Sequence, residues 1–213
     1  MTMIRSCLPL ALMGLAVTGC ATVELPPASL IYANASCDAA PNLSNAISLT
    51  PEKEKAVHLV SAPVTTETPC IMRNGKPLPY VVFALPEEFA DKTLVVGSAL
   101  ETNRIFAPHI EILDAQGTFA RTFEREEYFY RGPVYSIQFR PRETERYLLV
   151  TAEPEMVGVE YNSIHIGVNS NYVATAYGGV MINTGSDTTL LRTFSYDGTL
   201  SVMINDTDTS KKN

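Results

Sequence analysis

Residues 105–132 alternate, turn and alternate again, and this pattern leaves room for little besides a β-sheet protein. Ile110 and Ile112 alternate with His109 and Glu111, the period of two expected of a half-buried strand. Asp114-Ala115-Gln116-Gly117 follows at once. Asp favours the start of a turn, and Gly supplies the positive φ needed at its end. A second extended segment carries Phe119 and Phe123. The unit reads as a β-hairpin.

The same punctuation recurs along the chain. Residues 57–61 look extended, and Asn74-Gly75 is a strong turn signal. Residues 80–85 form a continuous apolar run, as in a strand buried on both faces, which Pro86 breaks. Residues 93–99 are the next strand. Over 134–140, Tyr135, Ile137 and Phe139 share one face, and Pro141 stops the strand. Residues 146–151 are another buried strand. Ile164, Ile166 and Val168 alternate with polar or small residues, and Asn169-Ser170-Asn171 reads as a loop. Residues 190–196 and 199–204 flank Asp197-Gly198, a pair suited to a type I′ hairpin turn. Pro51 and the charged residues after it can open a short helix, with Thr50 as cap. Strands at such regular spacing predict an all-β protein, a single jelly-roll-like β-sandwich over 51–205 with a polar tail at 206–213.

The hydrophobic fraction of 46% can build a core, and a charged fraction of 18% argues against general disorder. The formal net charge is −7, without a basic run. That excludes the electrostatic footprint of a nucleic-acid-binding protein.

The N-terminus predicts a membrane attachment of a different kind. Arg5 supplies a short positive region, and residues 7–17 are an apolar run too short to span a bilayer. Val17-Thr18-Gly19-Cys20 then looks like a bacterial lipoprotein signal. The thiol of Cys20 is the nucleophile that would accept the diacylglyceryl group, and several acyl chains anchor stably where one does not. Residues 1–19 are thus expected to be a signal peptide, and residues 20–50 the lipidated Cys20 and a tether with Pro26-Pro27. By the bacterial sorting pattern, Ala21 directs such a chain to the outer membrane, facing the periplasm. Cys7 would leave with the signal. Cys37 and Cys70 remain, in an oxidising compartment, and are expected to form a disulfide. Two free thiols or a redox pair are the alternatives, without a Cys-x-x-Cys motif behind the second.

Candidate chemistry is sparse. The chain lacks a Gly-x-Ser-x-Gly elbow, a His-Glu-x-x-His pair and a Gly-rich phosphate loop. His58, His109 and His165 are scattered and read as surface strand residues rather than zinc ligands. Asp206 and Asp208 lack the Gly and closing Glu of a calcium loop. Glu124, Glu126 and Glu127 could supply a glycosidase carboxylate pair, but with Arg125 and Arg131 beside them they read as a salt-bridged edge strand. Catalytic residues, metal ligands and cofactors are therefore not expected. The best binding candidate is Tyr128-Phe129-Tyr130 with Arg131, because sugars stack on aromatic rings while charged groups bond their hydroxyls. Neighbours on a strand face opposite ways, so either Phe129 or the two tyrosines must face the core. Core packing with a tyrosine hydroxyl at the rim is the competing account.

Phe106-Ala107-Pro108, Ile112-Leu113-Asp114 and the aromatic cluster resemble the maltose-operon periplasmic protein family. Leu85-Pro86 with Thr93-Leu94, Tyr147-Leu148-Leu149-Val150, and Arg192-Thr193 with Asp197-Gly198-x-Leu200 extend the resemblance over residues 48–204. It implies a periplasmic, non-catalytic protein tied to maltodextrin uptake, here with a lipoprotein signal. The expected function is an accessory or binding module of the envelope, with membrane lipid through Cys20 and an oligosaccharide or envelope protein as partners. The alternative is a structural lipoprotein that docks protein or peptidoglycan.

Overall fold

The computed structural model describes residues 26–34, 36–52, 57–89, 91–175 and 178–206. Its strands are β1 (Ile47–Ser48), β2 (His58–Val64), β3 (Cys70–Arg73), β4 (Lys76–Ala84), β5 (Lys92–Ala99), β6 (Arg104–Phe106), β7 (Pro108–Asp114), β8 (Phe119–Thr122), β9 (Phe129–Arg131), β10 (Val134–Phe139), β11 (Glu145–Ala152), β12 (Glu160–Thr175), β13 (Gly178–Ser195) and β14 (Gly198–Asp206). One sheet has the order β1-β4-β11-β7-β8, with β3 also on β4; the second runs β2-β14-β5-β10-β9. Within these, β2-β14-β5-β10 and β4-β11-β7-β8 follow the alternating connectivity of a jelly roll. The all-β sandwich expected from the turn spacing is the fold observed.

The core lies between these sheets. Leu94, Val96, Ile137, Leu200 and Val202 from one pack with Phe83, Ile110, Ile112, Leu148 and Val150 from the other. Each such side chain contributes about 1.5–3 kcal/mol by leaving water. The apolar run through β4 is explained by burial on both sides: Phe83 joins this core, while Tyr80 and Val82 join a smaller cluster with Ile71, Leu113 and Leu149. Leu43 and Ala46 cover that second cluster.

The cover comes from a segment expected to be a tether. Residues 20–25 lie outside the described residues, but the chain is already attached at Pro26, whose carbonyl accepts from Asn103. The Ser29 amide donates to Ser195 Oγ at 2.7 Å, and Tyr32 Oη donates to the Thr68 carbonyl at 2.6 Å. Leu49 is fully buried, and β1 pairs with β4 in parallel. The sandwich therefore draws on residues well before 51. Composition misled here because small and polar residues serve equally as linker or as a strap crossing a sheet. Of the helix expected after Thr50, residues 53–56 lie outside the described residues.

Two turn signals behave differently. At Asn74-Gly75 both residues have positive φ, 50° and 75°, and join β3 to β4 as a hairpin. Asp197-Gly198 does not join a hairpin. β13 pairs with β12 and β6, whereas β14 pairs with β2 and β5. The Asp197 carboxylate accepts instead from Arg104, from Ser195 Oγ and from the Ser29 amide. Gly198 (φ 146°) passes against Phe106, where a β-carbon would lie 2.9 Å from the Phe106 nitrogen. The pair is a corner at which the chain changes sheets.

The loop expected at Asn169-Ser170-Asn171 is strand. β12 and β13 form one ribbon, in register from Glu160↔Thr193 to Thr175↔Gly178. β6 adds to its base only, at Thr193, Phe194 and Ser195. Beyond that the ribbon is two-stranded and reaches about 50 Å at about 3.3 Å per residue.

Gly97 marks a close approach of two strand backbones. It sits opposite Ser136 in β10, and a β-carbon there would fall on the Tyr135 carbonyl oxygen and 2.5 Å from Ser136 Cα. Because backbone cannot swing aside as a side chain does, Gly97→Ala is expected to cost about 2–3 kcal/mol, read as a lowered urea midpoint.

Candidate functional site

The tyrosines of the aromatic cluster meet others from distant parts of the chain. Tyr130 in β9 is directly opposite Tyr135 in β10, and their ring centroids are 4.8 Å apart. Tyr161, at the start of β12, stacks on Tyr130 at 3.8 Å with 9° between planes. Tyr128 stacks on Tyr135 at 5.4 Å, and Phe194 meets Tyr135 edge-on at 5.2 Å. Offset stacks and edge contacts of this kind hold one another in place. The rings line a cleft of about 410 Å³ at the foot of the β12–β13 ribbon. Arg125, Glu126 and Glu160 line it too, with Met156 and Val159.

The alternation rule separates the expected ligand residues. Tyr128 and Tyr130 both line the cleft, but Tyr128 is buried, and its hydroxyl oxygen accepts from the Ile110 amide at 3.1 Å. It anchors core to cleft, as the packing account of the cluster expects. Tyr130 is 38% exposed. Phe129 and Arg131 face the other way. The Arg131 guanidinium lies 5.4 Å from the Phe129 ring centroid and donates to the Ser136 carbonyl, so Arg131 is not among the cleft residues. Burial raises the phenol pKa values of Tyr128, Tyr130 and Tyr135 above the ordinary value. Their hydroxyls therefore stay protonated and able to donate at neutral pH.

Glu124, Glu126 and Glu127 do not lie on an edge strand. Residues Arg125–Glu127 form a 3-10 turn, where the Glu124 amide donates to Glu127 Oε2 at 2.8 Å. This local bond uses Glu127 as a cap and leaves Glu126 to the cleft.

A second cavity of about 320 Å³ shares Arg125, Tyr128 and Met156 with the cleft and continues to His109 and Glu153. His109 sits between two carboxylates, its Nδ1 3.2 Å from Glu153 Oε2 and its Nε2 3.4 Å from Glu111 Oε1. Glu111 in turn holds the Arg73 guanidinium with both oxygens. His109, expected as a lone surface strand histidine, is thus part of a partly buried charged group; the group's one signal in the sequence is an acid set between Ile110 and Ile112.

The other expected residues are separate. Cys37 and Cys70 are joined by a disulfide. Cys20 and Asp208 lie outside the described residues. His58 is half-buried on β2, and His165 is on β12 opposite Thr188. Asp206 ends β14. Among the described residues, His, Cys, Asp and Glu form no group of three or more that could hold a metal ion. No protein-family model, curated protein or solved structure matches the chain.

Proposed function

We propose that this protein is a non-catalytic binding module of the bacterial envelope, attached through acylated Cys20, that takes a neutral linear oligosaccharide in the tyrosine cleft. The stacked Tyr130–Tyr161 pair carries the reading. Sugar C–H faces pack on aromatic rings, and Arg125, Glu126 and Glu160 are in place to bond hydroxyls. The adjoining cavity toward His109 suits a chain of rings better than a single one. The resemblance to the maltose-operon periplasmic protein family makes maltodextrins the first ligands to try.

Calorimetry of the protein against a maltodextrin series tests this. Saturable heat is expected, strengthening with chain length until the joined cavities are filled. Tyr161→Ala and Tyr130→Ala are expected to weaken binding about tenfold, the scale of one lost ring contact. Arg131→Ala, off the cleft, should leave affinity unchanged. Absence of heat from any member with the folded protein would end the maltodextrin reading. Absence of acyl groups from Cys20 in mass spectra of the protein purified from membranes would end the anchor.

A further inference from the structure

The β12–β13 ribbon carries a surface that the cleft does not use. Between Glu160 and Arg192 the only charged residue is Asp187, in a chain of net charge −7. Near the tip, Tyr172 pairs with Met181 on one face. Val173 pairs with Val180 on the other face, joined there by Ile182. All five are exposed, Tyr172 by 69% and Met181 by 65%. An antiparallel sheet that packs one face on protein commonly leaves the other face to water. Here both faces are apolar at the same level, which fits a tip surrounded by apolar medium.

The start of the chain says which medium. Ser29 bonds at Ser195 and Tyr196, while the Pro26 carbonyl accepts from Asn103 Nδ2 at 2.7 Å, and the Asn103 carbonyl accepts from Thr193. Going back from Ser29 to Pro26, the chain thus runs along β13 toward the tip. Cys20 is six residues further, a reach of about 20 Å at most. An acyl anchor at Cys20 would bring the bilayer within that distance, on the side where the ribbon extends about 50 Å.

We infer that the tip of the β12–β13 ribbon, with Tyr172, Val173, Val180, Met181 and Ile182, inserts into the lipid bilayer that holds the anchor, a second attachment that fixes how the cleft faces the periplasm. The inference rests on the lipoprotein reading proposed above. The ribbon outreaches the tether by about 30 Å, so it lies oblique to the bilayer plane, and insertion is shallow because the free edges of a two-stranded ribbon need the water and polar headgroups of the interface. Tyr172 suits that depth.

The chain has no Trp, so one introduced indole reports its own surroundings. Val173→Trp, Met181→Trp and, on the sandwich, Leu59→Trp are made in the full-length protein, purified as the cell processes it and added to phosphatidylcholine vesicles with and without brominated acyl chains. Both tip indoles are expected to shift to the blue on vesicles and to lose about half their emission to shallow bromines, the depth of an interfacial segment being about 5–10 Å. The Leu59→Trp indole should do neither. Absence of quenching at the tip, quenching on one face only, or equal quenching at all three positions overturns the inference. So does a blue shift that needs protein concentration instead of lipid, which would place a second copy on the tip. Mass spectrometry of the same preparations reads acylation at Cys20. An unacylated protein defeats the anchor reading by itself, while the tip still stands or falls on its own quenching.

Discussion

Replacing Glu111 by glutamine is expected to lower the unfolding free energy by about 3 kcal/mol at neutral pH, the low end of what breaking a buried ion pair costs. The Glu111 side chain is 10% exposed, on the face of β7 opposite the Ile110 and Ile112 side chains. Arg73 approaches it from β3, with Nη2 2.6 Å from Oε2 and Nη1 on Oε1. Glutamine would keep one acceptor and turn an amide N–H₂ toward the guanidinium. Arg73 keeps some access to water, its side chain being 35% exposed, which holds the loss near the lower figure. The same pair predicts acid sensitivity. Burial alone would raise the Glu111 pKa; hydrogen bonds from His109 and Arg73 and the Arg73 charge outweigh it and bring the value from 4.5 to about 2. A group whose pKa is depressed by folding stabilises above its unfolded value. Its contribution is thus complete above pH 4.5 and is lost as the pH falls toward about 2, a swing of about 3 kcal/mol. Urea unfolding of the wild type should show this slope between those limits. The Glu111→Gln protein should be nearly flat across the window, and an equally steep slope would assign the acid sensitivity elsewhere.

How much of this was legible depends on where the information sits. The sandwich strands could be read because one face of each is buried: Tyr135, Ile137 and Phe139 alternate with Ser136 and Gln138 as the pleat requires. Of the outer β12–β13 ribbon, the alternation of Ile164, Ile166 and Val168 could be read as strand, but the stretch beyond it could not, because its faces are exposed and polar Asn169-Ser170-Asn171 carries no alternation. Asn74-Gly75 and Asp197-Gly198 look alike locally. Only the second is met by Arg104, 93 residues away, and a long-range partner of that kind leaves no trace in a turn dipeptide. The site divides in the same way. Period two separates Tyr130 from Arg131, and that much follows from the strand itself. That Tyr161 would come to stack on Tyr130 follows from the connection leading back from β11 to the base of the ribbon, which the sequence places but does not aim.

Opening the Cys37–Cys70 bridge, as in a Cys37→Ala/Cys70→Ala protein, is expected to cost about 3–4 kcal/mol, the loop-closure entropy of a bridge between residues 33 apart. The loss should be local in its first effect. The bridge ties the N-terminal strap to β3, where the Asp38 amide donates to the Cys70 carbonyl at 2.7 Å and Asp38 forms an isolated bridge with Ile71. Tyr80 pins the strap on both sides of the crossing: its hydroxyl donates to Asp38 Oδ2 and accepts from the Asn42 amide, each at 3.0 Å. Leu43 and Ala46 then shield Ile71, Tyr80, Val82, Leu113 and Leu149. Without the bridge, the strap has to be held by these contacts and by those of Ser29 and Tyr32 before it, against the entropy of a longer unclosed loop. Amide exchange should therefore quicken at Asp38 and Ala46, whose amides bond to Cys70 and Leu43. Amides of β5 and β14, inside the second sheet, should slow or quicken only with global stability. A loss below about 1 kcal/mol would mean that Tyr80 and the apolar cover hold the strap by themselves. A loss near the full figure with protection lost across both sheets alike would mean instead that strap and sandwich unfold as one unit, and that the cleft at the foot of the ribbon shares its stability with a disulfide on the far face of β4.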